Sequence, residues 1–162
     1  MIDPVALIEL TNLKASDKLI DLARHPGLTM KPEWIGELAQ NGNYHVRSAL
    51  ATNPAIANLP EIVERLSTDE DSWVRNHLAT NPAIANFPEI VRKLSADKDF
   101  DVRSALASNP AIGEFPEIVE ELSKDTAKTV RNALAQNRAL SARTASPQPW
   151  QTQPTTEKAP SL

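Results

Sequence analysis

The stretch Val74–Val91, VRNHLATNPAIANFPEIV, is one copy of a sentence that the chain writes several times. Val46, Val74, Val102 and Val130 stand 28 residues apart, and each is followed by an arginine: Arg47, Arg75, Arg103 and Arg131. Leu50, Leu78, Leu106 and Leu134 keep the same spacing, as do Asn53-Pro54, Asn81-Pro82 and Asn109-Pro110. In the last copy Asn137 is followed by Arg138. A fixed period of this size is the mark of a stacked-repeat architecture, in which each unit buries its apolar face only against its neighbours.

Working outward, the register extends back to the start of the chain. Pro4, Pro32, Pro60, Pro88 and Pro116 are spaced by 28, and so are Leu10, Leu38, Leu66, Leu94 and Leu122. Asp3-Pro4 reads as a helix start, because proline lacks only an N–H that would be unpaired in a first turn. A helix is expected over about residues 4 to 13. Ser16 to Arg24 keeps Leu22 and Ala23 in register, with His25-Pro26 in the place of Asn-Pro. The expected organisation is a helical repeat region over 1–140: a degenerate repeat at 1–44, full repeats at 45–72, 73–100 and 101–128, and a half repeat at 129–140. Residues 141–162 hold four prolines, many Thr, Gln and Ser, and few large apolar residues, Trp150 and the last residue, Leu162. Such a composition cannot bury enough surface to order itself, so a disordered tail is expected.

Each repeat reads as two short α-helices with a turn between them. Asn58-Leu59-Pro60-Glu61 and Asn86-Phe87-Pro88-Glu89 suggest an N-cap with a capping-box glutamate. The helix that follows places Ile62, Val63 and Leu66, or Ile90, Val91 and Leu94, on one face, and stops at Ser67, Ser95 and Ser123. Asp69, Asp97 and Asp125 are the expected N-caps of the next helix. That helix aligns Val46, Ala49, Leu50 and Asn53, and the small Ala51 beside them admits a close neighbour. It ends at Asn-Pro, since the residue before proline is pushed out of the α region. Pro82-Ala83-Ile84 reads as a 3₁₀ turn whose isoleucine returns to the core. The fold class expected is all-α, a right-handed α-solenoid of alternating α and short 3₁₀ helices.

Composition narrows function by exclusion. The absence of cysteine removes disulfides, thiolate zinc sites, iron–sulfur clusters and a cysteine nucleophile. Only 4% of residues are aromatic, so thin layers of aliphatic and small side chains must do the packing. No apolar run approaches a bilayer-spanning length, and MIDPVALIEL has no basic region before its apolar part, so a cytoplasmic protein without membrane association is expected. The net charge is −4, and residues 45 to 128 hold 9 Lys/Arg against 14 Asp/Glu, a net of −5. That balance disfavours a phosphate-binding surface.

The combination VRxxLAxNP, PExxxxL and an aspartate before the next Val-Arg resembles the leucine-rich repeat variant family, within the armadillo/HEAT-like group of helical repeats. The resemblance covers roughly residues 17 to 140. It implies alternating α and 3₁₀ helices in a right-handed superhelix, and protein interaction as the usual inferred role. The founding type carries an N-terminal iron–sulfur cluster held by cysteines; this chain has no cysteine, so neither that cofactor nor any redox role is implied, and no cofactor is expected.

The remaining candidates separate into framework and surface. Asp71 and Arg75, like Asp99 and Arg103, are four apart with the acid first, which suits an ion pair within one helix. Arg47, Arg75, Arg103 and Arg131 are read as a ladder tying layers together, against the alternative of an anion-binding stripe. Asn53, Asn81 and Asn109 are read as satisfying backbone groups freed at a helix end. His25, His45 and His77 are too few and too widely spaced for a metal site, and no nucleophile elbow or phosphate-cradling loop is present, so no enzyme activity is expected. On the helix wheel positions 44, 45, 48 and 52 point away from the core. Against small polar neighbours there, Tyr44, His45, Trp73, His77 and Phe100 stand out as a partner-binding edge. Trp73 and Phe100 would also serve simply to close the gaps between repeats. The expected function is that of a monomeric, non-enzymatic scaffold binding a protein or peptide; the alternative is a nucleic-acid-binding helical repeat, which needs a basic face that the charge count does not supply.

Overall fold

The computed structural model describes residues 16–25, 27 and 32–140. The helix expected over 4 to 13 and the tail at 141–162 lie outside the described residues. Within them the protein is all-helical. The α-helices are α1 (Ser16–Arg24), α2 (Pro32–Ala39), α3 (Tyr44–Ala51), α4 (Pro60–Ser67), α5 (Ser72–Thr80), α6 (Pro88–Ser95), α7 (Phe100–Ser108), α8 (Pro116–Ser123) and α9 (Lys128–Ala135). Three 3₁₀ helices, η1 (Pro54–Asn58), η2 (Pro82–Asn86) and η3 (Pro110–Glu114), follow α3, α5 and α7.

Helices of eight or nine residues are marginal in water and hold their shape only by packing. Here α1, α3, α5, α7 and α9 each pack on the next in one row, α2, α4, α6 and α8 form a second, and η1, η2 and η3 a third. The first row is lined by Val46, Leu50, Val74, Leu78, Val102, Leu106 and Val130, all without exposed surface. Ala23, Ala51, Ala79 and Ala107, equally buried, let successive helices of that row approach. Ile56, Ile84 and Ile112 return from the 3₁₀ turns into the same core, and Val63, Leu66, Val91, Leu94, Ile118 and Leu122 meet them from the second row.

The Asn-Pro turns are explained by their hydrogen bonds. Asn81 is extended (φ −76°, ψ 120°), as a residue preceding proline must be, and its side chain accepts from the Ala83 N–H. Its amide nitrogen reaches into the preceding repeat, donating to the Ala51 carbonyl at 2.8 Å and the Asn53 carbonyl at 3.2 Å. Asn53, Asn109 and Asn137 make the equivalent bonds, so each buried amide is satisfied while joining two repeats.

Two expectations about caps are corrected. Asn58 and Asn86 do not cap α4 and α6: they are the last residues of η1 and η2, and Leu59 and Phe87 take the cap positions without a side-chain hydrogen bond. The 3₁₀ turn runs longer than Pro-Ala-Ile and absorbs the asparagine; Asn86 instead donates to the Ala57 carbonyl. Asp69 and Asp97 are not N-caps either. Asp71 and Asp99 are, accepting from the Trp73 and Asp101 N–H groups, while Ala127 rather than Asp125 takes the cap position of α9, with no side-chain hydrogen bond.

The displaced aspartates hold the arginine ladder, and this corrects the expected pairing within one helix. Arg75 donates through Nε and Nη2 to Asp97 at 2.7 and 3.0 Å, and through Nη1 to the Asp69 carbonyl at 2.7 Å. Arg47 does the same with Asp69 and the Asn41 carbonyl, and Arg103 with Asp125 and the Asp97 carbonyl. Each of these guanidiniums therefore bridges two inter-helix loops. Arg131 keeps the carbonyl bond to Asp125 and has no carboxylate partner among the described residues. The hydrogen-bonded aspartates outweigh the effect of burial and hold Arg47, Arg75 and Arg103 above the ordinary arginine value.

Candidate protein-binding site

The first row presents the starts of its helices side by side. Asn43 caps α3 by accepting from the His45 N–H, and Asp71 caps α5 by accepting from the Trp73 N–H. First-turn side chains have no preceding turn to lie against, so Tyr44, Trp73 and Phe100 project into solvent with 37%, 54% and 47% of their surface exposed. They are the exposed large hydrophobic side chains among the described residues.

Two ring contacts order this edge. Tyr44 lies on His45 with centroids 4.0 Å apart, and Trp73 meets His77, one turn further along α5, at 5.1 Å and 58°. His77 Nδ1 is 2.8 Å from the Trp73 carbonyl oxygen. A carbonyl only accepts, so Nδ1 carries the proton, and in the neutral ring Nε2 is left as an acceptor.

His45, Trp73 and His77 come together on a cavity of about 280 Å³ between α1, α3 and α5. Tyr44 and Phe100 do not line it. Tyr44 reaches it only through His45, and Phe100 begins α7, one helix beyond. Ile20 and Arg24 from α1, and Ser48, Ala49 and Thr52 from α3, complete the walls. The 28-residue register contained part of this signal, since it aligns Arg24 with Thr52; the juxtaposition of Arg24 with His45 and Trp73 depends on how three helices pack.

Ser48 is a correction. Position 48 was expected to point away from the core, but Ser48 is only 4% exposed, because α3 is flanked by α1 and α5 and this side of the helix closes between them. Its Oγ is buried and makes no hydrogen bond among the described residues. Thr52, by contrast, spends its proton on the Ala49 carbonyl at 2.9 Å. The Arg24 guanidinium has no carboxylate partner among the described residues, and the ionisable groups that line the cavity are Arg24, His45 and His77, all of basic type.

Among the described residues no three His, Cys, Asp or Glu side chains converge in a way that could hold a metal ion. None of their helices is long and apolar enough to cross a membrane. The chain matches no family model, no curated protein and no solved structure.

Proposed function

We propose that this protein is a monomeric, non-enzymatic interaction scaffold of the leucine-rich repeat variant type, a right-handed α-solenoid with a 28-residue repeat, acting in the cytoplasm. It binds a protein or peptide along the edge formed by the starts of α3, α5 and α7. The observation that carries this reading is the placement of Tyr44, Trp73 and Phe100. The exposed large hydrophobics of the described residues fall on one edge, at positions that vary between repeats, while the buried valines, leucines and asparagines of the ladder do not. Aromatic side chains that can be desolvated dominate interface energies, and here the rings stand beside histidines and small polar residues that form a wettable rim.

The test is Trp73→Ala, with stability and affinity capture measured side by side on the full chain. Trp73 is more than half exposed, so the substitution is expected to cost about 1 kcal/mol of stability or less. Affinity for the captured partner is expected to fall by about 2 kcal/mol or more, roughly thirtyfold. Unchanged affinity, or a loss of several kcal/mol of stability, counts against the reading. A steep decline of binding with salt would instead favour the nucleic-acid alternative.

A further inference from the structure

We infer that the cavity between α1, α3 and α5 is an acidic-residue pocket, receiving the carboxylate of a glutamate or aspartate side chain from the bound peptide. This deepens, and rests on, the protein-binding reading of the same edge. Three observations converge on it. Every ionisable group on the cavity wall is basic, and Asp17 and Asp21 of α1, both exposed, do not line it. Among the described residues no carboxylate engages the Arg24 guanidinium as carboxylates engage Arg47, Arg75 and Arg103, and its planar donor fork suits bidentate pairing with a carboxylate. Ser48, on the same wall, has a hydroxyl that is buried and without a partner among the described residues, a group whose cost is relieved by a rotation towards an incoming acceptor.

The other walls fit a peptide rather than a free ion. Trp73 offers an exposed ring face to the methylenes of an acidic side chain, and a neutral His77 ring whose Nδ1–H is spent on the Trp73 carbonyl leaves Nε2 to accept from a backbone N–H. The pocket has one permanent positive charge, from Arg24, which matches a singly charged carboxylate; a phosphate dianion would lack a second permanent countercharge. A volume of about 280 Å³ takes one side chain, leaving the flanking residues to lie over Tyr44 and along α5.

The experiment uses the immobilised full chain and fluorescent, degenerate short peptide mixtures whose central residue is fixed as glutamate, glutamine or phosphoserine. The glutamate mixture is expected to be retained about tenfold better than the glutamine mixture, the scale of one charge-assisted contact. Arg24→Gln is expected to bring that preference below about twofold, and Arg24→Lys, which keeps the charge without the fork, to give an intermediate value. Thermal unfolding of both variants should coincide with that of the parent, since Arg24 is exposed. Equal retention of glutamate and glutamine mixtures, with binding still dependent on Trp73, would overturn the acidic pocket and leave the protein-binding reading standing. Phosphoserine retained well above glutamate would overturn the carboxylate assignment in favour of a phosphorylated segment. Retention of none of the mixtures overturns the pocket, and the Trp73→Ala capture then decides the broader reading by itself.

Discussion

Arg75 and Asp97 lie 22 residues apart in the chain and form a two-bond ion pair whose side chains are 7% and 8% exposed. The pair ties the start of one repeat to the loop that opens the next. Asp97 also accepts from the Asp99 N–H, and its own carbonyl receives Arg103, so the contact is a link in a continuous polar chain from Arg47 to Arg131.

Removing one partner from so buried a pair leaves a charge without compensation. Asp97→Ala is therefore expected to cost about 3 to 5 kcal/mol in chemical unfolding. Asp71→Ala removes only a helix cap and should cost about 1 kcal/mol. A double-mutant cycle distinguishes the two arrangements: strong coupling is expected between Arg75 and Asp97, and little between Arg75 and Asp71.

The asparagine ladder makes a sharper chemical prediction. Asn81 donates to two carbonyls and accepts from one N–H, so Asn81→Ala leaves three backbone groups without that partner, at about 1 to 3 kcal/mol for each one that stays buried. Asn81→Asp preserves shape but replaces the donor with an acceptor facing the Ala51 and Asn53 carbonyls. It should be at least as destabilising as alanine at neutral pH and recover part of the loss when acid returns a proton to the side chain. An aspartate variant that unfolds at the parent's midpoint would refute the ladder.

Leu78 has no exposed surface and lies between thin layers that cannot collapse far. Leu78→Ala is expected to cost about 2 to 5 kcal/mol. A change below about 0.5 kcal/mol in a denaturant melt would be incompatible with its place in the core.

Ser48→Ala should do the opposite. Deleting a buried hydroxyl that has no partner removes its desolvation cost, and the free protein is expected to gain up to about 1 kcal/mol. Melting of the unliganded variant below the parent would show that the hydroxyl is already satisfied.

Acid stability follows from two carboxyls. The Arg103 side chain, followed by the Ala127 N–H, holds Asp125 below its ordinary value of 3.8 against the opposing effect of burial. Asp99 is lowered first by the Asp101 N–H and then by the Ser72 hydroxyl. A carboxyl depressed in the folded state takes up its proton first in the unfolded chain. Its stabilisation is thus fully present above the ordinary carboxylate range and is lost as pH falls through the folded value. Asp125→Asn keeps an acceptor for Ala127 but not the charge, so the variant should lose less stability than the parent between neutral pH and pH of about 3. Glu120, lowered by its exposed neighbour Lys124, is the control: water screens that pair, and Glu120→Gln should leave the acid profile unchanged within error.

The sequence by itself determined the elements. The spacing of Val, Leu and Asn-Pro placed the described α-helices and the 3₁₀ turns between them, because apolar residues at helical intervals share one face and a residue before proline leaves the α region. It also singled out Tyr44, His45, Trp73, His77 and Phe100, since large rings break a row of small polar positions. What only the tertiary structure decided was which polar group meets which. Helix periodicity ranks Asp71 beside Arg75, yet the guanidinium reaches Asp97, because packing the next repeat brings a second carboxylate into a more buried place with two-bond geometry. Ser48 is buried, Arg24 joins His45 and Trp73 on one cavity, and Phe100 stays outside it, for a related reason. Helical spacing describes one helix at a time, and the pocket is made by three.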